Sequence, residues 1–438
     1  MERIRLWVEE VLKGGYEYEV YLERKKKTVI ETSEERLENF IRAEDTGLAV
    51  RVFKDKRMGF AYTTDLREEA VKETVKTAKQ ICHITPPDDG FALVNCQNLG
   101  ELKSYYDEEG LKRPIEEKTE MLISLERRAK ELDSRAKGVR KASLKETDLE
   151  VFCRTSCGLL YEYKGTWYTS MMSLVAEEDG DQSISYEFVG ARSLSDLPFD
   201  SMLEDVVFKA TALLKPSSFE TKRMPVVLYR DASAMLLEAF SPLFLGDSLI
   251  KGKTFLKGMK ESEVFSERLT IVDDGTRPYG FMSLPVDAEG YPTQRNLVVE
   301  EGVFKGFLHS PYTALKSGEK PTGNSVREGF KSLPTSGITN LYIQSGKLSL
   351  EELLQGEVLL ITELMGLHTA DPVSGDFSLG ASGIIYRKGR KDMSVRGVII
   401  GGNIRDLWNS IAEVGKDLKF YGNIGSPSLY IERLTVGG

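Results

Sequence analysis

The chain opens with apolar positions at helical spacing in "MERIRLWVEEVLKGG", which predicts an amphipathic helix closed by Gly14 and Gly15. From Tyr16 to about Thr64 the apolar period shortens to two in "EYEVYLERKKKTVIE", "ERLENFIRAED", "GLAVRVFKD" and "RMGFAYTTD". Turn residues separate these runs, so they predict an antiparallel meander. Helical spacing returns over 65–82 and 114–133. A second strand group follows in "DLEVFCRTSC", "LLYEYKGTWYTSMMSLVAEE" and "SISYEFVGARS", then a helix over 202–213. The stretch "KPSSFETKRMP" (215–225) is the linker candidate. Beyond it come the strand "PVVLYRD", a short helix with Asp231 as its cap, and mostly strands. Two hairpins are expected, one turning at Glu301-Gly302 and one near Gly389, and an amphipathic helix over 404–415. Strands and helices do not alternate regularly. The expected fold is therefore α+β in two domains, residues 1–220 and 221–438. Antiparallel sheets carry flanking helices, and the C-terminal half is rich in strands.

Composition narrows the function classes. Of 438 residues, 41% are hydrophobic and 29% charged, ordinary for a globular chain. A net charge of −9 argues against a nucleic-acid binder, which needs a basic surface. No apolar run approaches a membrane span, and the N-terminus lacks the pattern of a secretion signal, so a cytoplasmic protein without membrane contact is expected. Four cysteines are too few to staple a chain of this length, and Cys153 and Cys157 have no second pair at zinc-finger spacing. All four are read as reduced, structural thiols. Sparse Asn and Gln beside abundant Lys and Glu point to a thermophilic source. The main basic cluster, "ERKKKT" (23–28), is read as a solvated strand end or turn.

Three near-motifs carry little. "GEKPTGNS" (318–325) has Asn324 where a phosphate-binding loop needs lysine, and no apolar strand precedes it. "GASG" (380–383) lacks the spacing of a nucleophile elbow and reads as a turn with small residues. The S-x-x-K matches at 248–251 and 317–320 have no companion motifs. The polar, glycine-rich stretch "HTADPVSGDFSLGASG" (368–383) is different, because such a loop lets backbone approach a ligand closely. Its side chains His368, Asp371, Asp376, Ser378 and Ser382 are the binding candidates. Within "SAMLLEAFSPLFLGD" (233–247), Glu238 is a lone carboxylate among apolar neighbours. A buried carboxylate needs a donor or a raised pKa, so Glu238 is expected to face an internal cleft near the 368–383 loop.

The C-terminal half resembles the TldD/PmbA (TldE) family of intracellular peptidases, once called modulators of DNA gyrase. The resemblance rests on "LLEAFSPLFLGDSLIKGKTF", "VDDGT", "GYPTQRNLVVEEGVFKGFLHS", "PTGNS", "ELMGLHTADPVSGDFSLGASG", "GGNIRDLW" and "SPSLYIERLTVGG", in that order. In the TldD-like branch this helix carries HExxxH, two histidines that hold zinc around a glutamate that activates water. Here those positions are Leu237, Glu238 and Pro242, and neither leucine nor proline offers a metal a lone pair. The resemblance thus implies the PmbA/TldE-like branch, with Glu238 a degenerate remnant and no cofactor. It also implies a non-catalytic subunit that positions unfolded peptides beside a TldD-like zinc subunit, in a heterodimer or as a homodimer. Two other readings stay open. One is a metal-independent hydrolase using His368 with neighbouring Asp or Ser. The other is a module binding gyrase or DNA, against which the acidic charge counts.

Overall fold

The computed structural model describes residues 2–93 and 96–438. Ile4, Val8 and Leu12 recur at helical spacing and bury one face of helix α1 (Glu2–Val11). The helix stops before Gly14 and Gly15, which turn the chain with positive φ. The expected meander is present as β1 (Glu17–Ser33), β2 (Arg36–Lys54) and β3 (Arg57–Thr63). Helix α2 (Glu68–Ile84) lays Val71, Val75, Ala78 and Cys82 over it beside α1. Next come β4 (Asn98–Glu101), α3 (Glu108–Lys112), α4 (Ile115–Leu132), β5 (Ala136–Thr155), β6 (Leu160–Glu178), β7 (Asp181–Ala191) and α5 (Phe199–Ala212). The sheet order is β3-β2-β1-β5-β6-β4, with β7 paired to the later stretch of β6.

The period of two decides what each face of this sheet meets. Tyr18, Val20 and Ile30 of β1 lie in the apolar clusters under the helices. Tyr21 on the opposite face joins Val286 and Phe330 of the C-terminal half. The "ERKKKT" run corrects its expectation. It lies mid-strand in β1, not at an end, and Lys25 is half-buried.

The C-terminal half begins with β8 (Lys222–Leu228), α6 (Arg230–Phe240), a 3-10 turn (Ser241–Phe244) and α7 (Gly246–Ile250). It continues through β9 (Ser262–Glu263), β10 (Ile271–Asp274), β11 (Arg295–Glu300), β12 (Val303–Phe304), α8 (Pro311–Ser317), β13 (Ser325–Val326), β14 (Thr335–Ser336), β15 (Leu341–Ile343) and α9 (Leu350–Leu353). The last elements are β16 (Glu357–Met365), β17 (Asp376–Arg387), β18 (Arg390–Asn403), α10 (Ile404–Asn409), β19 (Ile411–Val414), β20 (Lys419–Tyr421), β21 (Ile424–Ser426) and β22 (Leu429–Gly437). Strands β18-β17-β16-β8-β22 lie in that order, and β22 pairs back to β18 through Ile399↔Gly437 and Ile400↔Val436. These five strands close into a ring, which removes sheet edges. A second sheet runs β20-β21-β15-β10-β11-β12-β9. Both sheets share one apolar core. In it Trp408 is buried against Phe244, with ring centroids 6.1 Å apart, and against Phe265 at 5.1 Å.

The two hairpins form where expected, at Glu301-Gly302 and Lys388-Gly389, each with positive φ at both turn residues. Four expectations are corrected. The helix at 404 stops at Asn409, because Ile411 pairs with Ile431 in the sheet and strand pairing overrides the helical period. "GASG" is no turn but the middle of β17, between β16 and β18. Asp231 is not the cap of α6. Tyr229 stands there, and Asp231 turns inward to Lys209. Finally, Cys96 and Cys157 are joined in a disulfide, while Cys82 and Cys153 are free and buried. The parallel pairing of β4 with β6 brings Cys96 and Cys157 together, a contact that spacing along the chain does not reveal.

Candidate functional site

Helix α6 is held at its first two residues by a chain of buried charges. Arg230 meets both oxygens of Asp205 at 2.5 and 2.7 Å, and Asp205 meets Lys419 at 2.6 Å. Lys419 meets Glu187 at 3.1 Å, Glu187 meets Lys209 at 2.6 Å, and Lys209 returns to Asp231 at 2.6 Å. The signs alternate at every step, so no charge is left uncompensated. The chain spans α5, β7, β20 and α6, and joins the two halves of the molecule at the root of the helix.

From that root Leu236, Leu237 and Phe240 fill the core, while Met235 and Ala239 are half-buried and Glu238 is exposed. The expectation of an enclosed Glu238 is corrected. The helical period turns its carboxylate outward, and it has no side-chain hydrogen bond or ion pair among the described residues. Its helix does adjoin the glycine-rich segment: Phe240 and Phe377 meet edge to face at 6.4 Å, and α6 packs on the 3-10 turn Leu367–Thr369. Replacing Glu238 with glutamine is expected to change folding stability by less than about 0.5 kcal/mol, checked by urea unfolding.

The segment 366–383 is half turn and half strand. Gly366 takes positive φ before the 3-10 turn that carries His368, which is exposed. Asp371 Oδ1 accepts the Val373 N–H at 2.8 Å, and backbone hydrogen bonding, that of Val373 foremost, holds its carboxyl below the usual range. Asp376 Oδ1 accepts the Asn403 amide at 2.9 Å. Both aspartates thus pin the turn, and neither takes a bond from His368. Ser378 is exposed, whereas Ser382 is buried in β17 opposite Glu363 of β16. Four of the five candidates lie on one exposed stretch and Ser382 does not join them. Sequence reasoning missed Glu363, a carboxylate pushed up by burial that accepts the Ser185 hydroxyl. Its signal was a charge inside the apolar run "GEVLLITEL". The Asn324 of the phosphate-loop mimic is buried and donates to Asp273 at 2.7 Å and to the Gly337 carbonyl at 3.0 Å, a structural role.

Models of three PmbA/TldA metallopeptidase domains match the chain in order: domain 1 over 18–82, the central domain over 108–214 and the C-terminal domain over 221–438. Metalloprotease PmbA of Escherichia coli O157:H7 is 28% identical over 410 residues, covering 92% of this chain and 88% of that protein. A metalloprotease TldD homologue of Buchnera aphidicola subsp. Schizaphis graminum is 29% identical over 424 residues, covering 90% and 87%. The fold is shared with a Thermotoga maritima protein solved as a candidate modulator of a DNA gyrase, at TM-score 0.88, 26% identity and full coverage of both chains. It is shared equally with TldE from Thermococcus kodakarensis, at TM-score 0.88, 24% identity and full coverage of both. The α+β architecture and the three matched domains are those of a metallopeptidase family. The chain belongs to the PmbA/TldD family.

A metal is implied by that family, and the residues present do not fit one. Position 237 is a leucine sealed in the core and position 242 a half-buried proline. Among the described residues no group of three or more His, Cys, Asp or Glu side chains is placed to hold a metal ion.

Proposed function

We propose that the chain is a non-catalytic, PmbA/TldE-like subunit of a cytoplasmic metallopeptidase, which binds and positions unfolded peptides for a TldD-like zinc subunit. The observation that carries this reading is Leu237, which fills the core where a zinc-binding histidine would stand and leaves Glu238 exposed without a metal to work beside. A carboxylate alone can accept a proton, but among the described residues no metal-holding group stands beside it to polarise a scissile carbonyl. The fold supports a positioning role. Strand β16 pairs with β8 only through Leu359–Ile361, and beyond that point α6 replaces β8 beside it. In this reading an extended peptide gains backbone contacts at exposed Met365 and half-buried Gly366, past the last pair with β8. In this reading residues 221–438 form the domain that retains the degenerate site, and residues 1–220 form a domain that encloses the substrate. The subunit pairs with its zinc-bearing homologue or with its own copy. Among the described residues no helix is long and apolar enough to cross a membrane.

The test is hydrolysis of an unfolded polypeptide by this chain alone, by the HExxxH homologue from the same source, and by the mixture. Hydrolysis is expected only when the homologue is present, highest in the mixture, and abolished by a chelator. Hydrolysis by this chain alone, indifferent to chelators and lost in His368→Ala, would overturn the reading.

A further inference from the structure

One face of the basic run in β1 borders the C-terminal half. Lys25 and Lys27 project from the β1 face that meets the C-terminal half, and Lys145 of β5 lies on the same face. Together they line a cavity of about 400 Å³ between this sheet and the segments 281–288 and 323–328 of the C-terminal half. Tyr163, Trp167 and Phe281 form part of its wall. Trp167 is fixed there by its indole N–H, which donates to the Phe281 carbonyl at 2.8 Å.

None of the three lysines has an ion pair or a side-chain hydrogen bond among the described residues. The nearby carboxylates are largely engaged. Glu23 accepts the Tyr21 hydroxyl at 3.0 Å, and Asp45, across β2 from Lys25, is paired with Lys331 at 2.7 Å. Asp287 accepts three backbone N–H groups, from Glu289, Tyr291 and Ser325. Glu328 is the remaining acid on the wall, and it is exposed. Burial pushes the Lys25 ammonium down, Glu23 and Asp45 raise it, and Lys27 and Lys145 lower it further. On this wall Lys25, Lys27, Lys145 and Arg327 face Glu23, Asp287 and Glu328. Burial pushes Asp287 up to about 7, so cations outnumber the ionised acids here in a chain of net charge −9.

We infer that this cavity binds the carboxylates of an extended acidic peptide, with Lys25, Lys27 and Lys145 as the anion site and the Tyr163–Trp167–Phe281 wall as the seat for its apolar side chains. The inference rests on the peptide-handling reading and gives it a substrate preference. An acidic chain repels acidic peptides over most of its surface. The lysine cluster reverses that sign at one place and so selects where such a peptide docks. Lysine suits the role, since its mobile ammonium serves carboxylates at varied positions without the fixed geometry of a guanidinium.

The test uses the full chain and three fluorescein-labelled unstructured ten-residue peptides, read by anisotropy. One is Glu-rich with an amidated C-terminus, one has Gln for every Glu and is amidated, and one is the Gln peptide with a free carboxylate. At low salt the Glu-rich peptide is expected to bind about ten-fold tighter than the amidated Gln peptide, with the gap narrowing at 0.3 M salt. Tight binding of the third peptide as well would assign the C-terminal carboxylate a share of the site. In the K25Q/K27Q/K145Q variant the preference is expected to vanish while the amidated Gln peptide binds as before. Since Lys27 and Lys145 are exposed, K27Q/K145Q serves where the triple variant does not fold, and is expected to lose most of the preference. Equal binding of the three peptides by the unaltered chain, or a preference that survives in the folded variant, would overturn the inference. Peptidase activity of the mixture with the zinc homologue is read separately. Hydrolysis without an acidic preference leaves the subunit reading standing, and a preference without hydrolysis leaves only the cavity.

Discussion

Replacing Lys209 with methionine is expected to lower folding stability by about 3–5 kcal/mol, the scale seen when one partner of a buried ion pair is removed. Lys209 is almost wholly buried and serves both Glu187 and Asp231 at 2.6 Å. Burial alone would lower its pKa, but Asp231 and then Glu187 outweigh burial and hold it above the ordinary lysine range. Methionine matches the stem and removes the charge. Glu187 then keeps Lys419, and among the described residues Asp231 keeps the Ala232 N–H and no cation. The check is a shift of the denaturation midpoint with an unchanged slope. In K209M/D231N the loss is expected to be smaller than the sum of the two single losses, because the orphaned carboxylate is gone. A loss below about 1 kcal/mol in K209M would show that the pairing contributes little beyond its own desolvation.

The second large effect is expected at Arg51, which joins Glu19 of β1 to Glu289 of the C-terminal half, the latter at 2.9 Å. Glu19 also accepts from Arg327 at 2.7 Å. In R51M, Glu289 loses the one cation paired with it among the described residues and retains the Ser325 hydroxyl, so a loss of about 3 kcal/mol is expected. Acid sensitivity gives an independent reading. Burial pushes Glu19 up, but the charges of Arg51 and then Arg327 prevail and bring it down to about 2, below its ordinary 4.5. A folded pKa below the unfolded one contributes stability that is complete above pH 4.5 and is lost as pH falls toward 2. The unaltered protein should therefore lose stability through that window, and R51M should lose less there. Unfolding free energies measured between pH 2 and 6 test this. Identical slopes for the two proteins would show that Arg51 does not set the Glu19 pKa.

The elements governed by local chemistry were legible in the sequence. The meander of 17–63 follows from its period of two, and both hairpins follow from a glycine at a turn position that demands positive φ. Helix α6 was legible from its apolar run and the proline that follows it. What failed depends on distant partners. Nothing near Ile411 reveals that Ile431 waits to pair with it, and nothing near Cys96 announces Cys157. Lys25 of "ERKKKT" looks like a solvated charge until the C-terminal half meets that face of the sheet, while Lys27 stays exposed. At the candidate site the exposure of Glu238 was not legible. The apolar chain neighbours of Glu238 point to burial, yet a helix places neighbours on different faces. The two ion networks escaped altogether. Their members are single charges scattered from Glu19 to Lys419, each unremarkable in its own segment.

The ring of five strands has a consequence for synthesis on the ribosome. Strand β8 finds β22 roughly 200 residues later, a delay of some tens of seconds at ordinary elongation rates. Until β16 follows about 130 residues later, β8 is an apolar strand without a pairing partner, and its second edge waits for β22. Strand β8 is followed at once by the apolar helix that carries Glu238. The C-terminal half therefore completes its ring only after its last strand has been made, and apolar surface stays uncovered until then.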